Sequence, residues 1–410
     1  MSTLAPVWLA DRRLARVFDA LGAPAVDVRV VGSAVRDALL KRDHADSEID
    51  IGTPETPDAV QHRLAAAKIR CLPTGLAHGT VMAIVDGRSF EITSLRRDTA
   101  CDGRHADVAF TTDWHEDARR RDFTINAMSL TPAGVLADDH GGANDAEAGR
   151  LRFVGDPTDR IREDYLRILR LFRFAAWYGR EPIDAAILAA CSTLKGGLRH
   201  LSAERVHDEL AKLLAAPDPS TAVAAMAGCG VLAAVLPGAR AVSVLARLVD
   251  AERSAVPGDW LVRLTVLIEP VAAEQVAAVL KMSHAERSRL MALSAPLPLI
   301  APLSDARTVR QALYDLGSNL VLDRVMIALA TGPMTDVATW LPLIATVRAW
   351  THRPLPVSGD DVLARGVAAG PAVGRLLTAM TAWWIDRAFT PSRDEALAWL
   401  SQLVTESRKQ

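Results

Sequence analysis

The most regular hydrophobic pattern of the chain lies between residues 159 and 176. Its apolar positions recur at the spacing of one helix face, which predicts a single helix with one side against a core. These positions are Ile161, Tyr165, Ile168, Leu169 and Phe172. The spacing therefore predicts one continuous helix over residues 159–176.

Charged residues recur every third position on the other side of this helix. They are Asp164, Arg167, Arg170 and Arg173. One interpretation is a solvated face with spaced ion pairs. The other is a template for a nucleobase, because an Asp accepts from an exocyclic amine while an Arg donates to a ring nitrogen. Cytosine and adenine both offer that pattern, and guanine and uracil offer the reverse. The spacing alone favours the solvated face, and the segments before it decide between the two interpretations.

Nearer the start, residues 1–20 have the pattern of an amphipathic helix, and Val28 to Val31 form a short β-rich run. That run ends at Gly32 and Ser33, and residues 34–40 are again helical in pattern. A strand, a tight turn and a helix N-terminus favour anion binding through backbone N–H groups. Arg36 follows in the first turns of this helix.

Glu48 and Asp50 alternate with isoleucines, as in a strand that places both carboxylates on one face. Such a pair suits Mg²⁺, which takes carboxylates together with substrate phosphates, but a polar strand face has the same pattern. Residues 80–85 and 89–93 flank Asp86 and Gly87 and predict a hairpin. Glu91 on its second strand is either a third acid of the site or an ordinary outward residue.

Residues 97–110 are polar and predict a mobile loop, and residues 119–126 predict a helix entered through three consecutive arginines. Such a run is usually solvated, although here it could meet a triphosphate. A segment rich in Gly and Asp at 138–149 predicts a boundary, after which the pattern is almost entirely helical.

Composition adds limits to this picture. A chain of 410 residues exceeds one ordinary core, so two to three domains are expected. The formal net charge of −2 restricts any nucleic-acid surface to a local patch. Four cysteines without CxxC spacing favour reduced thiols, and no apolar run is long enough for a bilayer, so we expect a cytoplasmic protein without membrane spans.

Together, the motifs resemble those of the class II nucleotidyltransferases, which comprise the CCA-adding enzymes and the bacterial poly(A) polymerases. The matching segments, in the family's order, are VGSAVRDALL at 31–40, EIDI at 48–51, HGT at 78–80, RRDFTINAM at 120–128, the Gly141–Gly142 turn, EDYLRILR at 163–170, LSAERVHDEL at 201–210 and SGDDVL at 358–363. The resemblance thus spans nearly the whole chain.

This resemblance implies an α/β N-terminal head of the DNA polymerase β type at residues 1–137. An all-α neck with the nucleotide-base template would follow at 138–220, and an all-α body and tail that bind tRNA at 221–410. It implies Mg²⁺-dependent addition of C, C and A to the 3′ end of tRNA from CTP and ATP, with release of pyrophosphate. It leaves the oligomeric state open.

The resemblance also assigns roles to individual residues. Gly32, Ser33 and Arg36 would hold triphosphate and ribose. Glu48 and Asp50 would bind Mg²⁺, with Glu91 as the third acid. Arg121 would contact phosphate, within a nucleotide site that includes Asp122 and Asn126. Asp164 and Arg167 would read the base, supported by Arg170 and Arg173.

Two positions depart from the family's usual pattern, since Glu48 replaces an Asp and Ser33 replaces a second Gly. The linker at 40–48 is also longer than usual, so metal binding by Asp46 and Glu48 is an alternative to the preferred Glu48 and Asp50. Alternative functions are poly(A) polymerase, an enzyme restricted to adding the Cs or the A, and an RNA-binding relative that has lost its metal.

Overall fold

The computed structural model describes residues 2–76, 79–101, 106–240, 242–296, 301–302, 304–333 and 336–407. His78 of the HGT segment lies outside these ranges, as do residues 102–105. The chain divides into two compact units, the first formed by residues 1–239 with 279–281, and the second by 240–278 with 282–410. The three-part division at 137 and 220 remains a prediction.

The first unit begins with an α/β domain, as expected. Its nine strands are β1 Arg29–Val31, β2 Asp50–Thr53, β3 Arg70–Gly75, β4 Thr80–Val85, β5 Arg88–Ser94, β6 Arg96–Cys101, β7 Ala106–Phe110, β8 Ser129–Leu130 and β9 Leu136–Ala137. Seven of them form one sheet in the order β3-β4-β5-β2-β1-β8-β9, and β6 pairs with β7 separately. In the large sheet β2 and β5 run parallel, whereas the other neighbours are antiparallel.

The first unit also contains eleven α-helices among its described residues. They are α1 Arg12–Leu21, α2 Ser33–Leu39, α3 Pro57–Ala66, α4 Trp114–Arg119, α5 Gly142–Ala148, α6 Pro157–Glu163, α7 Leu166–Tyr178, α8 Ala185–Leu194, α9 Ala203–Leu214, α10 Ser220–Gly228 and α11 Val231–Val235. Helices α1, α2 and α3 contribute buried side chains to the core of the sheet, which includes Leu14, Val35, Ile51, Leu64 and Ile92. The alternation of strands β2, β4 and β5 places their apolar residues in this core.

The rest of the chain is helical, which confirms the expected all-α remainder. The described helices are α12 Ser243–Ala255, α13 Trp260–Leu267, α14 Ala273–Val279, α15 His284–Ser294, α16 Ala306–Thr331, α17 Val337–Arg348, α18 Gly359–Leu363, α19 Pro371–Asp386 and α20 Arg393–Ser407. Helix α16 is interrupted at Gly317, whose φ is 77° and ψ is 162°. Within the second unit Arg263 forms a buried ion pair with Glu252 at 2.7 Å, which joins α13 to α12. Within the described ranges, every helix is too short or too polar to cross a membrane.

The predicted continuous helix over 159–176 is wrong. The backbone leaves the helix at Asp164, with φ −152° and ψ 108°, and α7 starts two residues later. The Asp164 side chain accepts a hydrogen bond from the N–H of Leu166 at 3.0 Å, in the manner of a helix cap. The space beside Gly197 is filled by the ring of Tyr165, because a Cβ on Gly197 would lie 2.1 Å from that ring. A cap and a tertiary contact therefore replace the helical geometry that the apolar spacing predicted.

Three other local predictions need correction. Residues 97–110 are not simply a loop, because β6 and β7 pair as a two-stranded sheet in their described parts. The segment 119–126 is not one helix, since α4 ends at Arg119 and a 3₁₀ turn covers Thr124–Asn126. Residues 1–20 form a 3₁₀ turn at Val7–Ala10 and then α1, which Asp11 caps by accepting from Arg13 N–H at 2.8 Å.

Candidate active site

A cleft of about 790 Å³ in the first unit contains most of the residues that the sequence singled out. Its lining includes nine cationic side chains and three carboxylates, so the field inside it is strongly positive. The lining residues are Gly32, Ser33, Arg36, Asp50, Arg96, Arg120, Arg121, Asp122, Asn126, Asp164, Leu166, Arg167, Arg170, Arg173, Phe174, Trp177, Tyr178, Arg205 and Lys212. A cleft of this charge is suited to a polyanion.

The turn between β1 and α2 forms one side of the cleft. Gly32 has φ 73° and ψ −127°, a conformation that side chains rarely adopt. A Cβ there would also lie 3.4 Å from Nη1 of Arg121. Ser33 begins α2 at this turn. Gly32 is therefore required by its backbone conformation, whereas the Ser33 position tolerates a side chain.

Arg36 joins three elements around the cleft. Its Nη1 donates to Oδ1 of Asn126 at 2.7 Å, and its Nη2 donates to the hydroxyl of Tyr178 at 2.7 Å. Its Nε donates to Asp37 at 2.9 Å, and the guanidinium lies over the Tyr178 ring at 4.1 Å. Arg36 is almost fully buried. In this structure Arg36 therefore links α2, the 3₁₀ turn and α7.

Asp50, at the start of the inner strand β2, interacts electrostatically with two other acidic residues, Glu91 and Glu48. Asp50 pairs with Glu91 across the parallel strands β2 and β5, so the two side chains share a face. Burial, together with the neighbouring charges of Glu91 and Glu48, raises the pKa of Asp50 to about 6, although Arg121 opposes this. Glu48 is not in a strand as predicted, because β2 begins at Asp50, and it lies exposed at the entrance to that strand.

This arrangement fits a divalent cation that the substrate helps to bind. Among the described residues, no three His, Cys, Asp or Glu side chains come together as a ready metal site. Mg²⁺ usually takes one or two protein carboxylates and completes its shell with phosphates and water. The crowding that raises the pKa of Asp50 marks a place where a positive charge would be favourable.

Two of the three consecutive arginines are fixed by a carboxylate that the sequence did not reveal. Asp117 of α4 is only 4 % exposed and forms ion pairs with Arg120 at 2.8 Å and with Arg121 at 3.1 Å. Burial alone would raise the pKa of Asp117, but the two guanidinium groups hold it below its usual value. Arg121 also donates from Nη1 to the carbonyl of Asn126 at 3.4 Å. Arg120 and Arg121 are thus oriented into the cleft.

Asp122 connects the end of this arginine run to α7. Its Oδ2 accepts from Nε of Arg170 at 2.7 Å, and its Oδ1 accepts from Asn126 at 3.1 Å and from the N–H of Phe123 at 2.8 Å. Burial disfavours the charged form, but Arg170 and the hydrogen bonds keep the pKa of Asp122 below its usual value. The predicted residues Asp122, Asn126 and Arg170 therefore form one network.

Asp164 and Arg167 both line the cleft, but each is held by another partner. Oδ2 of Asp164 accepts from Nη2 of Arg205 at 2.7 Å. Arg167 forms an ion pair with Glu163 and donates to the carbonyls of Arg160 at 2.9 Å and Arg120 at 3.1 Å. These bonds use three of the five N–H groups of Arg167 among the described residues. Both side chains are therefore oriented and retain capacity for a ligand.

Arg173 lies further along α7 and forms an ion pair with Glu209 of α9 at 3.1 Å. Burial raises the pKa of Glu209 and lowers the pKa of Arg173, in spite of their mutual attraction. Trp177 and Tyr178 complete this end of the cleft, where the indole N–H of Trp177 donates to the carbonyl of Lys212 at 2.8 Å. The helix α7 is therefore held to α9 along its length.

The sequence did not single out Arg205 and Tyr178, which line the cleft, or Asp117, Glu163 and Glu209, which hold its arginines in place. Glu163 stands in the EDYLRILR segment, and Arg205 and Glu209 stand in LSAERVHDEL, so both segments carried a usable signal. Asp117 and Tyr178 had none, because their roles depend on contacts across the fold. Glu91 and Glu48 do not line the cleft itself, although both act on the charge of Asp50.

The chain is similar to known proteins over most of its length. Two family models match, the poly A polymerase head domain over residues 28–152 and the probable RNA and SrmB-binding site of polymerase A over residues 182–242. A mitochondrial CCA tRNA nucleotidyltransferase 1 from Danio rerio is 31 % identical over 400 residues, which cover 92 % of this chain and 87 % of the relative. A CCA-adding enzyme from Limosilactobacillus fermentum is 30 % identical over 356 residues, which cover 86 % of each chain.

The fold is also similar to that of a solved CCA-adding enzyme. The crystal structure of the Bacillus stearothermophilus CCA-adding enzyme in complex with CTP is similar with a TM-score of 0.75. The match covers 97 % of this chain and 98 % of that chain at 24 % identity. The α/β unit and the helical remainder are thus shared along nearly the full length.

Proposed function

Because the chain belongs to the family of CCA tRNA nucleotidyltransferases, we propose that it adds C, C and A to the 3′ end of tRNA from CTP and ATP and releases pyrophosphate. The observation that carries the proposal is the nearly full-length likeness to these relatives. The basic cleft supports it, since it gathers Ser33, Arg121 and Asp164 in one place.

The triphosphate would bind beside the Gly32–Ser33 turn. Arg120 and Arg121 are already oriented by Asp117, so they lose little conformational freedom when a phosphate arrives. The excess of cationic side chains in the cleft would offset the charge of the triphosphate. Arg36 would act mainly by holding the 3₁₀ turn and α7 against this site.

Glu48 and Asp50 would hold Mg²⁺, with Glu91 as the third acid. The bound ion would lower the pKa of the RNA 3′-hydroxyl and neutralise charge at the attacking and leaving oxygens. The chain itself would keep Asp50 beside Glu91 through the parallel pairing of β2 with β5.

The base would be read at the start of α7. Asp164 has accepted one hydrogen bond on each oxygen, so each oxygen retains a lone pair for an exocyclic amine. Arg167 retains N–H groups for a ring nitrogen. Cytosine and adenine both match this pair, whereas uracil and guanine place a carbonyl toward Asp164.

The tRNA would contact the helical neck, body and tail, in the 138–220 and 221–410 division, through its backbone and shape. We place the protein in the cytoplasm, which the free thiols of Cys71, Cys191 and Cys229 support.

The test is incorporation of each labelled nucleotide separately into a tRNA that lacks its 3′ end, with Mg²⁺ present. Addition of two C residues and then one A supports the proposal. Long addition of ATP alone would identify a poly(A) polymerase, and addition of only C or only A would identify a restricted enzyme. No incorporation by folded protein would favour an RNA-binding relative without a working metal site.

A further inference from the structure

The linker between α2 and β2 is held by one largely buried arginine on a different strand. Arg88 lies at the start of β5, and its Nη1 donates to the carbonyl of Ala45 at 2.7 Å. Its Nη2 donates to the carbonyl of Ser47 at 2.7 Å. A single guanidinium thus binds two linker carbonyls immediately before Glu48.

Arg88 is itself fixed in place. Its Nη1 forms an ion pair with Oδ2 of Asp11 at 2.5 Å, and both side chains are about nine-tenths buried. Hydrogen bonds from Arg13 and Arg88 lower the pKa of Asp11 to about 2, although burial acts in the opposite direction. The carboxylate that anchors Arg88 therefore remains charged. The strand that carries Arg88 also carries Glu91, which faces Asp50.

Glu48 depends on this support because nothing else fixes its side chain. Its carboxylate has no hydrogen bond or ion pair among the described residues, and the residue is exposed. The preceding turn is closed by a hydrogen bond from the N–H of Ser47 to the carbonyl of His44 at 3.0 Å. The direction of Glu48 is therefore set by the backbone of this turn, and Arg88 holds that backbone on the head.

We propose that Arg88 is a positioning residue for the metal site, which places Glu48 beside Asp50 by holding the linker carbonyls. The inference rests on the proposed function, because it assumes that Glu48 binds the metal. A Glu has one more rotatable bond than an Asp, and Mg²⁺ demands near-octahedral ligands. A fixed backbone is therefore more important at this position than it would be for an Asp.

The test measures Mn²⁺ binding to the full chain directly. Electron paramagnetic resonance detects the bound Mn²⁺ in the presence of CTP and without RNA. Arg88→Ala is expected to raise the dissociation constant of Mn²⁺ about tenfold, as outer groups of metal sites commonly do. In a Glu48→Ala background the same change should have no further effect. In the incorporation assay Arg88→Ala should lower kcat at fixed Mg²⁺ and leave KM for CTP unchanged.

The matched control is Arg16→Ala, which removes an exposed ion pair with Asp86 and touches no linker carbonyl. It should leave Mn²⁺ binding as in the wild type. If Arg88→Ala unfolds, Arg88→Lys replaces it, since a single ammonium keeps the charge near Asp11 but lacks the fork that reaches both carbonyls. Lys is then expected to weaken Mn²⁺ binding only when Glu48 is present.

Two results would overturn the positioning role. The first is an unchanged affinity for Mn²⁺ in the Arg88 variant. The second is a loss of Mn²⁺ affinity that is equal with and without Glu48. Both leave the proposed function standing if wild-type protein extends tRNA. Failure of the wild type to incorporate CTP and ATP overturns the proposed function instead, and the two conclusions are thereby distinguished.

Discussion

Replacing Asp164 by Asn separates the two roles that the structure gives this side chain. The Asn oxygen can still accept from the N–H of Leu166, so the cap on α7 is retained. The charge opposite Arg205 is lost, and this pair is 41 % and 28 % exposed. An ion pair with that exposure contributes about 0.2–1 kcal/mol, so only a small loss of folding free energy is expected.

The effect on nucleotide choice should be much larger. An Asn amide turned toward the base donates a hydrogen bond, which matches the carbonyl of uracil and no longer matches the amine of cytosine. A good bidentate contact discriminates by about 1–3 kcal/mol. The ratio of kcat/KM for CTP over UTP should therefore fall by roughly 5- to 150-fold.

The assay is steady-state kinetics with all four nucleotides on one tRNA acceptor, together with thermal unfolding. Asp164→Ala serves for comparison, because it also removes the cap and should cost about 0.5–2 kcal/mol more in stability. If the preference for CTP over UTP survives in the Asn variant, Asp164 is a helix cap with an ion pair, and the base-reading hypothesis is refuted.

Three further predictions follow from the buried charges. Asp50→Asn should abolish nucleotide incorporation, and normal turnover would contradict the role of Asp50. The unfolding midpoint at neutral pH should stay unchanged or rise. The reason is that the pKa of Asp50 is raised to about 6 in the fold, so its ionised form destabilises the fold above that pH. Arg170→Ala should cost roughly 3 kcal/mol in urea unfolding at neutral pH by leaving Asp122 buried without its partner. Since the pKa of Asp122 is lowered in the fold, this difference should shrink in acid, and a difference independent of pH would argue against it. Tyr178→Phe should cost roughly 1.5–3 kcal/mol by removing an acceptor from Arg36, and a loss below about 0.5 kcal/mol would show that the bond contributes little.

The elements that the sequence predicted well are those in which a local pattern and the core agree. Strands β4 and β5 follow from alternation around the Asp86–Gly87 turn, and their apolar residues do lie in the core. Helix α2 after Gly32 follows from the strand and turn before it. The pair β6 and β7 was missed because β6 is mostly polar in sequence, which gives its segment the composition of a loop.

The break at Asp164 could not be predicted from periodicity. The apolar spacing is compatible with an unbroken helix, and apart from the cap of Asp164 on Leu166 the contacts at the break come from outside the segment. Arg205 is 41 residues away in sequence from Asp164, and the carbonyl of Arg120 that Arg167 binds is 47 residues away. Contacts over such distances leave no trace in a window of 18 residues.

The four charged residues Asp164, Arg167, Arg170 and Arg173 fit neither of their two original interpretations in simple form. A solvated face would pair its charges within the segment, as Arg167 does with Glu163, but the other three charged residues have partners elsewhere in the first unit. Arg170 is held by Asp122, Arg173 by Glu209, and Asp164 by Arg205. A site whose Asp164 and Arg167 served only to read the base would leave both side chains without partners in the protein. The carboxylates instead fix the direction of each arginine, and the excess of positive charge in the cleft remains. An arginine that is already ordered loses less entropy when it binds a nucleotide, so the ion pairs that a structural explanation would invoke also prepare the site for its ligand.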